Sequence, residues 1–147
     1  RAPHRPEPTV SATAPAPAAE SPAPPSLSQR LAEFAQGFGL DAVPSEVQDA
    51  ARLCILDALG IAFASTRFEF ARRSAAGIAA LAGDGEHVVI GMRQRWPLRD
   101  AALMNGILVH GLDYDDTHPA SVVHASASAL PAMLGAGRHA GASGARA

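Results

Sequence analysis

The segment Leu98-Arg99-Asp100-Ala101-Ala102-Leu103-Met104-Asn105-Gly106-Ile107-Leu108-Val109-His110 carries the clearest helical pattern in the chain. It follows Trp96-Pro97, and its apolar residues recur at the spacing of a helical face. Asn105-Gly106 lies in its middle, where Gly costs about 1 kcal/mol relative to Ala, so we expect another backbone or a ligand to approach there. The residues that we expect this helix to bury are Ala101, Ala102, Leu103, Ile107 and Leu108.

Two helices are predicted in the first half of the chain. Ser28 is expected to cap the first of them, and Gly39 is well placed to end it. The second is expected to run from about Pro44 to Ser65. Apolar residues fill more than one face of its second half, which we therefore expect to be buried between neighbouring elements.

The segments nearer to Leu98–His110 predict two more helices and a strand. Residues 68–82 form a more polar helix, and residues 87–91 have the pattern of a short strand. Beyond residues 111–123, a last helix is expected from about His124 to Arg138, with Pro131 inside it. The predicted fold class is therefore all-α, with a short β-strand or hairpin near residues 87–96.

The ends of the chain differ in composition from its middle. Residues 1–26 hold most of the twelve prolines and one large aliphatic residue, Val10. Such a segment buries too little apolar surface to offset its ordering entropy, so we predict a disordered Pro/Ala-rich tail. The folding part is then residues 27–147, and the small residues of the last helix imply that this part belongs to a larger helical domain.

The overall composition excludes several classes of function. A formal net charge of -2 gives no electrostatic case for a nucleic acid or an anionic membrane as partner. All twelve basic residues are Arg, so nothing in this chain can form a lysine Schiff base. The single cysteine, Cys54, excludes an internal disulfide and fits a reducing compartment. We expect a soluble, cytoplasmic protein.

The residues directly after the Leu98–His110 helix are the candidate site. The run His110-Gly111-Leu112-Asp113-Tyr114-Asp115-Asp116-Thr117-His118, followed by His124, concentrates three carboxylates and three imidazoles in a chain of which 18% is charged. Such groups are costly to bury unless they are paired, hydrogen-bonded or bound to something. Their position beside an apolar helix therefore suggests a ligand site.

Three interpretations of this run are open. Its aspartates could bind Mg²⁺ or Ca²⁺, and His110, His118 and His124 could together bind zinc. Alternatively the side chains are structural, with Asp113 at the end of the preceding helix and Thr117 within the turn. The third interpretation is acid-base chemistry without a metal, with His124 as the preferred proton carrier because it lies near a helix N-terminus that attracts anions.

The chain resembles the MmgE/PrpD family. The resemblance is carried by residues 101–119, with their Asn-Gly and His-x-x-Asp-x-Asp-Asp-Thr elements, and by residues 124–127 and 130–132. Four upstream segments extend it, so that it covers residues 28–144 in order: 31–34, 43–47, 57–62 and 88–91. One departure is Ala125, where the family often has Pro, and it leaves the identity of the substrate open.

The resemblance implies an activity and a set of site residues. The family contains lyases such as 2-methylcitrate dehydratase, of propionate metabolism, and cis-aconitate decarboxylase, which act on tricarboxylic acids without a metal or organic cofactor and are usually dimeric. On this basis His124 and Asp113 are the expected catalytic residues, and Thr117, His118 and Asp116 the expected substrate-binding residues. The family also uses another His and a Lys from later in its sequences, so we expect this chain alone to be inactive.

Two further classes of function stay open from the sequence. One is a non-catalytic helical remnant that only associates with partner helices, a class that fits the small-residue faces. The other is a metal-dependent hydrolase that uses the aspartate cluster. The sequence does not choose among dehydration, decarboxylation and isomerisation of a tricarboxylate.

Overall fold

A computed structural model of the chain describes residues 24–143, and its elements confirm the predicted fold class. Within these residues it has five α-helices and a two-stranded hairpin. The predicted disordered tail lies outside the described residues, apart from residues 24–26. Two compact units are distinguished, one that ends at Leu40 and one that begins at Asp41. None of the helices in the described part combines the length and apolar character needed to cross a bilayer.

Helix α1, Leu27–Gly37, begins with a reciprocal cap. The backbone N–H of Gln29 donates to Oγ of Ser26 at 3.3 Å, and the N–H of Ser26 donates to Oε1 of Gln29 at 2.7 Å. The predicted cap, Ser28, is wrong, because only Ser26 has a Gln three residues later that completes both bonds. A 3₁₀ turn, Leu40–Ala42, follows.

Helix α2 has the predicted bounds but not the predicted burial. It spans Ser45–Ser65, and the N–H groups of Val47 and Gln48 donate to the carbonyl of Pro44. Its second half is buried on one face only, so the expectation of burial on several faces is wrong for the described chain. In that half, Leu56 and Phe63 are 67% and 57% exposed, because α2 packs through its other face, which carries Ala58, Ile61, Ala62 and Ser65.

Helix α3 and the hairpin follow in order. α3 spans Glu69–Ala79, so it ends before residue 82, where the sequence pattern placed its end. Strands β1, His87–Val88, and β2, Arg95–Trp96, pair antiparallel with His87 opposite Trp96. The strand predicted over residues 87–91 is therefore shorter and has a partner.

Helix α4, Leu98–His110, is the centre of the second unit and has the predicted bounds. It packs against α2, α3, both strands and α5, which spans Ala125–His139. Leu103 is 54% exposed, so its predicted burial is wrong. The buried face has helical spacing and consists of Ala101, Met104, Asn105, Leu108 and Val109.

The Asn105-Gly106 pair explains how α4 meets its neighbours. A Cβ on Gly106 would lie 3.1 Å from the carbonyl oxygen of Ala127, so the backbones of α4 and α5 approach closely, as the glycine predicted. The Asn105 side chain is 4% exposed and binds the edge of the hairpin. Its Oδ1 accepts from the N–H of Ile90 at 2.8 Å, and its Nδ2 donates to the carbonyl of Val88 at 3.0 Å. The Asn105 amide thus accepts from one backbone N–H and donates to one backbone carbonyl, as a neighbouring strand would.

We expect Gly85→Ala to destabilise the protein. A Cβ at this position would overlap the backbone N of Pro97 and the carbonyl carbon of Trp96. Because backbone must move to make room, the free energy of unfolding should fall by about 1–3 kcal/mol in a urea titration followed by circular dichroism. Gly83→Ala is the matched control, since nothing lies within 4 Å of its Cβ position. Equal stability of the two variants would contradict the prediction.

Candidate functional site

The acidic run forms a loop between the end of α4 and the start of α5. Directly after α4, the N–H of Asp113 donates to the carbonyl of His110 at 2.8 Å, and Asp113 has a φ of 57°. Asp tolerates this left-handed conformation better than most residues. A Cβ on Gly111 would overlap the ring of Phe70, so the turn is packed tightly against α3. The chain therefore reverses within a few residues of α4.

A second turn returns the chain to α5. The N–H of His118 donates to the carbonyl of Val123 at 2.8 Å, and the N–H of Val122 donates back to the carbonyl of His118 at 2.9 Å. Val122 has a φ of 53°, an uncommon conformation for a β-branched residue. Such strain persists only where the surrounding structure holds it, and here it places His124 opposite the end of α4.

Asp115 is at the centre of the loop. Its side chain is fully buried, and its Oδ1 lies 3.1 Å from Nδ1 of His110 and 3.2 Å from Nδ1 of His124. The two imidazoles meet edge to face, with ring centroids 4.8 Å apart. A buried carboxylate is thus held between one imidazole from the last residue of α4 and one from the residue before α5.

The predicted residues Asp113 and Thr117 also lie beside His124. The Thr117 hydroxyl is 3.5 Å from Nδ1 of His124 and donates to the carbonyl of Asp115 at 3.4 Å. Oδ1 of Asp113 is 4.0 Å from Nε2 of His124. The Asp113 side chain is 82% exposed, whereas that of His124 is 27% exposed. Asp113, Thr117 and His124, three of the five site residues expected from the resemblance, are therefore neighbours.

Asp116 and His118 make other contacts. Oδ1 of Asp116 accepts from the N–H of Ser126 at 3.2 Å and so satisfies a backbone donor in the first turn of α5. Nδ1 of His118 is 2.8 Å from the Ser121 hydroxyl, within the second turn of the loop. Their expected roles in substrate binding stay predictions.

Four of these side chains could be considered as metal ligands. One ligand atom from each of His110, Asp113, Asp115 and His124 lies within 4.8 Å of the others. Ligand atoms of a tetrahedral zinc site, with bonds of about 2.0–2.1 Å, are only about 3.4 Å apart, so the cluster would have to contract around an ion. His118 of the zinc set considered from the sequence is not in this group.

The sequence places His110 and Asp115 within the candidate run but predicts no catalytic or substrate-binding role for them, only that of possible metal ligands. The available signal was that His110 ends an apolar helix and faces the same loop as His124. Asp115 gave no separate signal, since which of three nearby aspartates is buried depends on the two turns around it.

Comparisons with known proteins agree with the resemblance in the sequence. A family model described as the MmgE/PrpD N-terminal domain matches residues 29–147. The cis-aconitate decarboxylase of Aspergillus terreus is 25% identical over 118 residues, which are 80% of this chain and 24% of that protein. The cis-aconitate decarboxylase of Mus musculus is 29% identical over 110 residues, 74% of this chain and 22% of that protein. The chain thus spans less than a quarter of the length of these relatives.

Proposed function

This chain belongs to the MmgE/PrpD family, and from that premise we propose that its loop contributes to the active site of a lyase for a small tricarboxylic acid. The reaction is 2-methylcitrate dehydration or a cis-aconitate-like decarboxylation, and it uses acid-base catalysis without a cofactor. The observation that carries the proposal is the convergence of Asp113, Asp115 and Thr117 on the imidazole of His124. The names of the relatives favour cis-aconitate as the first substrate to test.

His124 is suited to the proton transfers that either reaction needs. In a decarboxylation the bond to a carboxyl carbon breaks, carbon dioxide leaves, and the carbanion takes a proton from an imidazolium. In a dehydration a base removes a proton beside a carboxylate, and the departing hydroxyl is protonated to water. A positioned imidazole performs such transfers near neutral pH. With its Nδ1 beside Asp115, His124 has Nε2 for this exchange.

The neighbours of His124 supply binding and orientation. The Thr117 hydroxyl suits a substrate carboxylate, because a hydroxyl group donates a hydrogen bond to an anion. At the N-terminal end of α5, the N–H of Ser126 is already bound by Asp116. Asp113, on the exposed side of the imidazole, orients His124 or a substrate hydroxyl. His118 and Asp116 complete the substrate-binding set that the resemblance implies.

We expect the 147-residue chain alone to show no turnover of cis-aconitate or 2-methylcitrate. The resemblance assigns further catalytic groups, a Lys among them, and this chain has no Lys. The test assays both substrates with the chain and with the protein translated from the complete reading frame. The readouts are release of carbon dioxide from cis-aconitate and consumption of 2-methylcitrate. Turnover by the chain alone would show that the missing groups are misassigned. No turnover of either acid by the complete product would contradict the lyase proposal.

One alternative is a metal-dependent hydrolase, which the approach of His110, Asp113, Asp115 and His124 favours. Elemental analysis of the purified protein separates this alternative from the lyase. A stoichiometric transition metal that is lost together with hydrolase activity would support it, and metal-free protein with lyase activity would exclude it.

A second alternative is a non-catalytic module that associates with other helices. The exposed side chains of Leu53, Leu56 and Phe63 on α2 favour an interacting surface. In the lyase proposal the same surface is available for the remainder of a larger domain or for the homodimer that we expect of the full-length form. Lyase activity of the complete product decides between the two. A cytoplasmic location stays part of the proposal.

A further inference from the structure

We propose that Asp115 is a positioning residue that determines the tautomer of two imidazoles at once. It holds the proton of neutral His110 and of neutral His124 on Nδ1, and this leaves Nε2 of His124 unprotonated and available to a bound molecule. The use of Nε2 in substrate proton transfer rests on the proposed function, whereas the tautomers themselves do not.

The contacts of the carboxylate carry this inference. An ionised carboxylate only accepts hydrogen bonds, so an imidazole nitrogen bonded to it must bear a proton. Nδ1 of His110 lies 3.1 and 3.3 Å from the two carboxylate oxygens of Asp115, and Nδ1 of His124 lies 3.2 Å from Oδ1. Within residues 24–143, these two imidazoles are the side-chain nitrogen groups that face the Asp115 carboxylate. The Thr117 hydroxyl donates to the backbone carbonyl of Asp115 and also lies 3.5 Å from Nδ1 of His124.

The burial of Asp115 makes the arrangement strongly favoured. Its side chain has no exposed surface, and an unpaired carboxylate in that position would lose its hydration without compensation. If either imidazole instead carried its proton on Nε2, an Nδ1 lone pair would face the carboxylate. Both rings therefore favour the Nδ1–H form, although neutral histidine in water favours Nε2–H.

The ring of His124 then connects a buried carboxylate with an exposed one. Its Nδ1 faces Asp115, whose side chain is 0% exposed, and its Nε2 lies 4.0 Å from Oδ1 of Asp113, whose side chain is 82% exposed. His110 contacts both oxygens of the Asp115 carboxylate and packs edge to face against His124. It thereby prevents rotation of the carboxylate and is a second positioning residue.

The test is nitrogen NMR of the 147-residue chain labelled with ¹⁵N-histidine, recorded at alkaline pH where imidazole is neutral. Correlation of the ring nitrogens with the carbon-bound ring protons distinguishes the two tautomers. We expect Nδ1–H for His110 and His124. His139, an exposed histidine at the end of α5, is the internal reference, and Nε2–H is expected there. Nε2–H at His110 or His124 in the unmodified chain would overturn the proposal.

Two variants of Asp115 refine the result. Asp115→Ala removes the acceptor of the His110 Nδ1–H, so that ring should shift to Nε2–H, whereas Nδ1 of His124 still has the Thr117 hydroxyl 3.5 Å away. In Asp115→Asn, one oxygen is replaced by an NH₂ donor, but His110 still faces the remaining oxygen in either orientation of the amide because it contacts both positions. His110 should therefore keep Nδ1–H in this conservative variant. Unchanged tautomers in a folded Asp115→Ala chain, judged by its backbone amide spectrum, would contradict the role.

Asp113→Asn is the matched control, because it neutralises the exposed carboxylate near Nε2 and leaves the Nδ1 bonds in place. We expect Nδ1–H to persist in both rings of this variant, and its loss would assign the effect to Asp113 instead. If the tautomers are as expected but the complete product turns over neither tricarboxylate, the lyase proposal fails and the positioning role stands. If the complete product turns over a tricarboxylate but the two rings carry Nε2–H, the positioning role fails and the lyase proposal stands.

Discussion

The His124→Ala substitution is expected to lower kcat for the preferred tricarboxylate by about 10²- to 10⁴-fold, the usual contribution of a positioned acid or base. The expected loss is large because the imidazole is the side chain on which Asp113, Asp115 and Thr117 converge. The measurement is steady-state kinetics of the protein translated from the complete reading frame, with kcat and KM determined separately.

The control for this variant is His139→Ala, which removes an exposed imidazole from the opposite end of α5. It should leave kcat within about twofold, because His139 lies away from the loop. A surface substitution there should change the free energy of unfolding by only about 0.5 kcal/mol, so the variant stays folded. Undiminished kcat in His124→Ala would remove His124 from the proton transfer. A raised KM with unchanged kcat would assign it to ground-state binding instead.

The Asn105→Ala substitution is expected to lower the free energy of unfolding by about 2–4 kcal/mol, since it leaves two backbone groups without partners. The amide binds the N–H of Ile90 and the carbonyl of Val88, and Ile90 itself is buried. Alanine keeps the helical backbone of α4 but cannot pair with the strand. Urea denaturation should therefore show a lower midpoint with an unchanged slope.

Leu103→Ala is the matched control on the same helix, two positions away. Its side chain is 54% exposed and should contribute less than about 1 kcal/mol. If Asn105→Ala were no more destabilising than Leu103→Ala, the two hydrogen bonds to the hairpin would not contribute to stability. That result would mean that water replaces the Asn105 amide as the hydrogen-bond partner of Ile90 and Val88 in the variant.

The helix bounds of the second unit are features that local sequence predicts well. α4 begins after Pro97 and ends at His110, as its spacing indicated, and α2 ends at Ser65. Proline before a helix and apolar residues at helical spacing act within a few residues, so they are readable without the tertiary structure. Burial is less predictable from local sequence. Both Ala101 and Leu103 were expected to be buried, but only the side of α4 that carries Ala101 meets neighbouring elements, and Leu103 is exposed.

The sequence by itself determined where the candidate site lies, because carboxylates and imidazoles that follow an apolar helix require partners wherever the chain folds. Only the tertiary structure decided that Asp115 is buried between His110 and His124 while Asp113 is exposed. The reason is geometric: the left-handed turns at Asp113 and Val122 and the packing of α4 against α5 determine which carboxylate points inward. These depend on contacts between segments distant in the chain, and no local pattern encodes them.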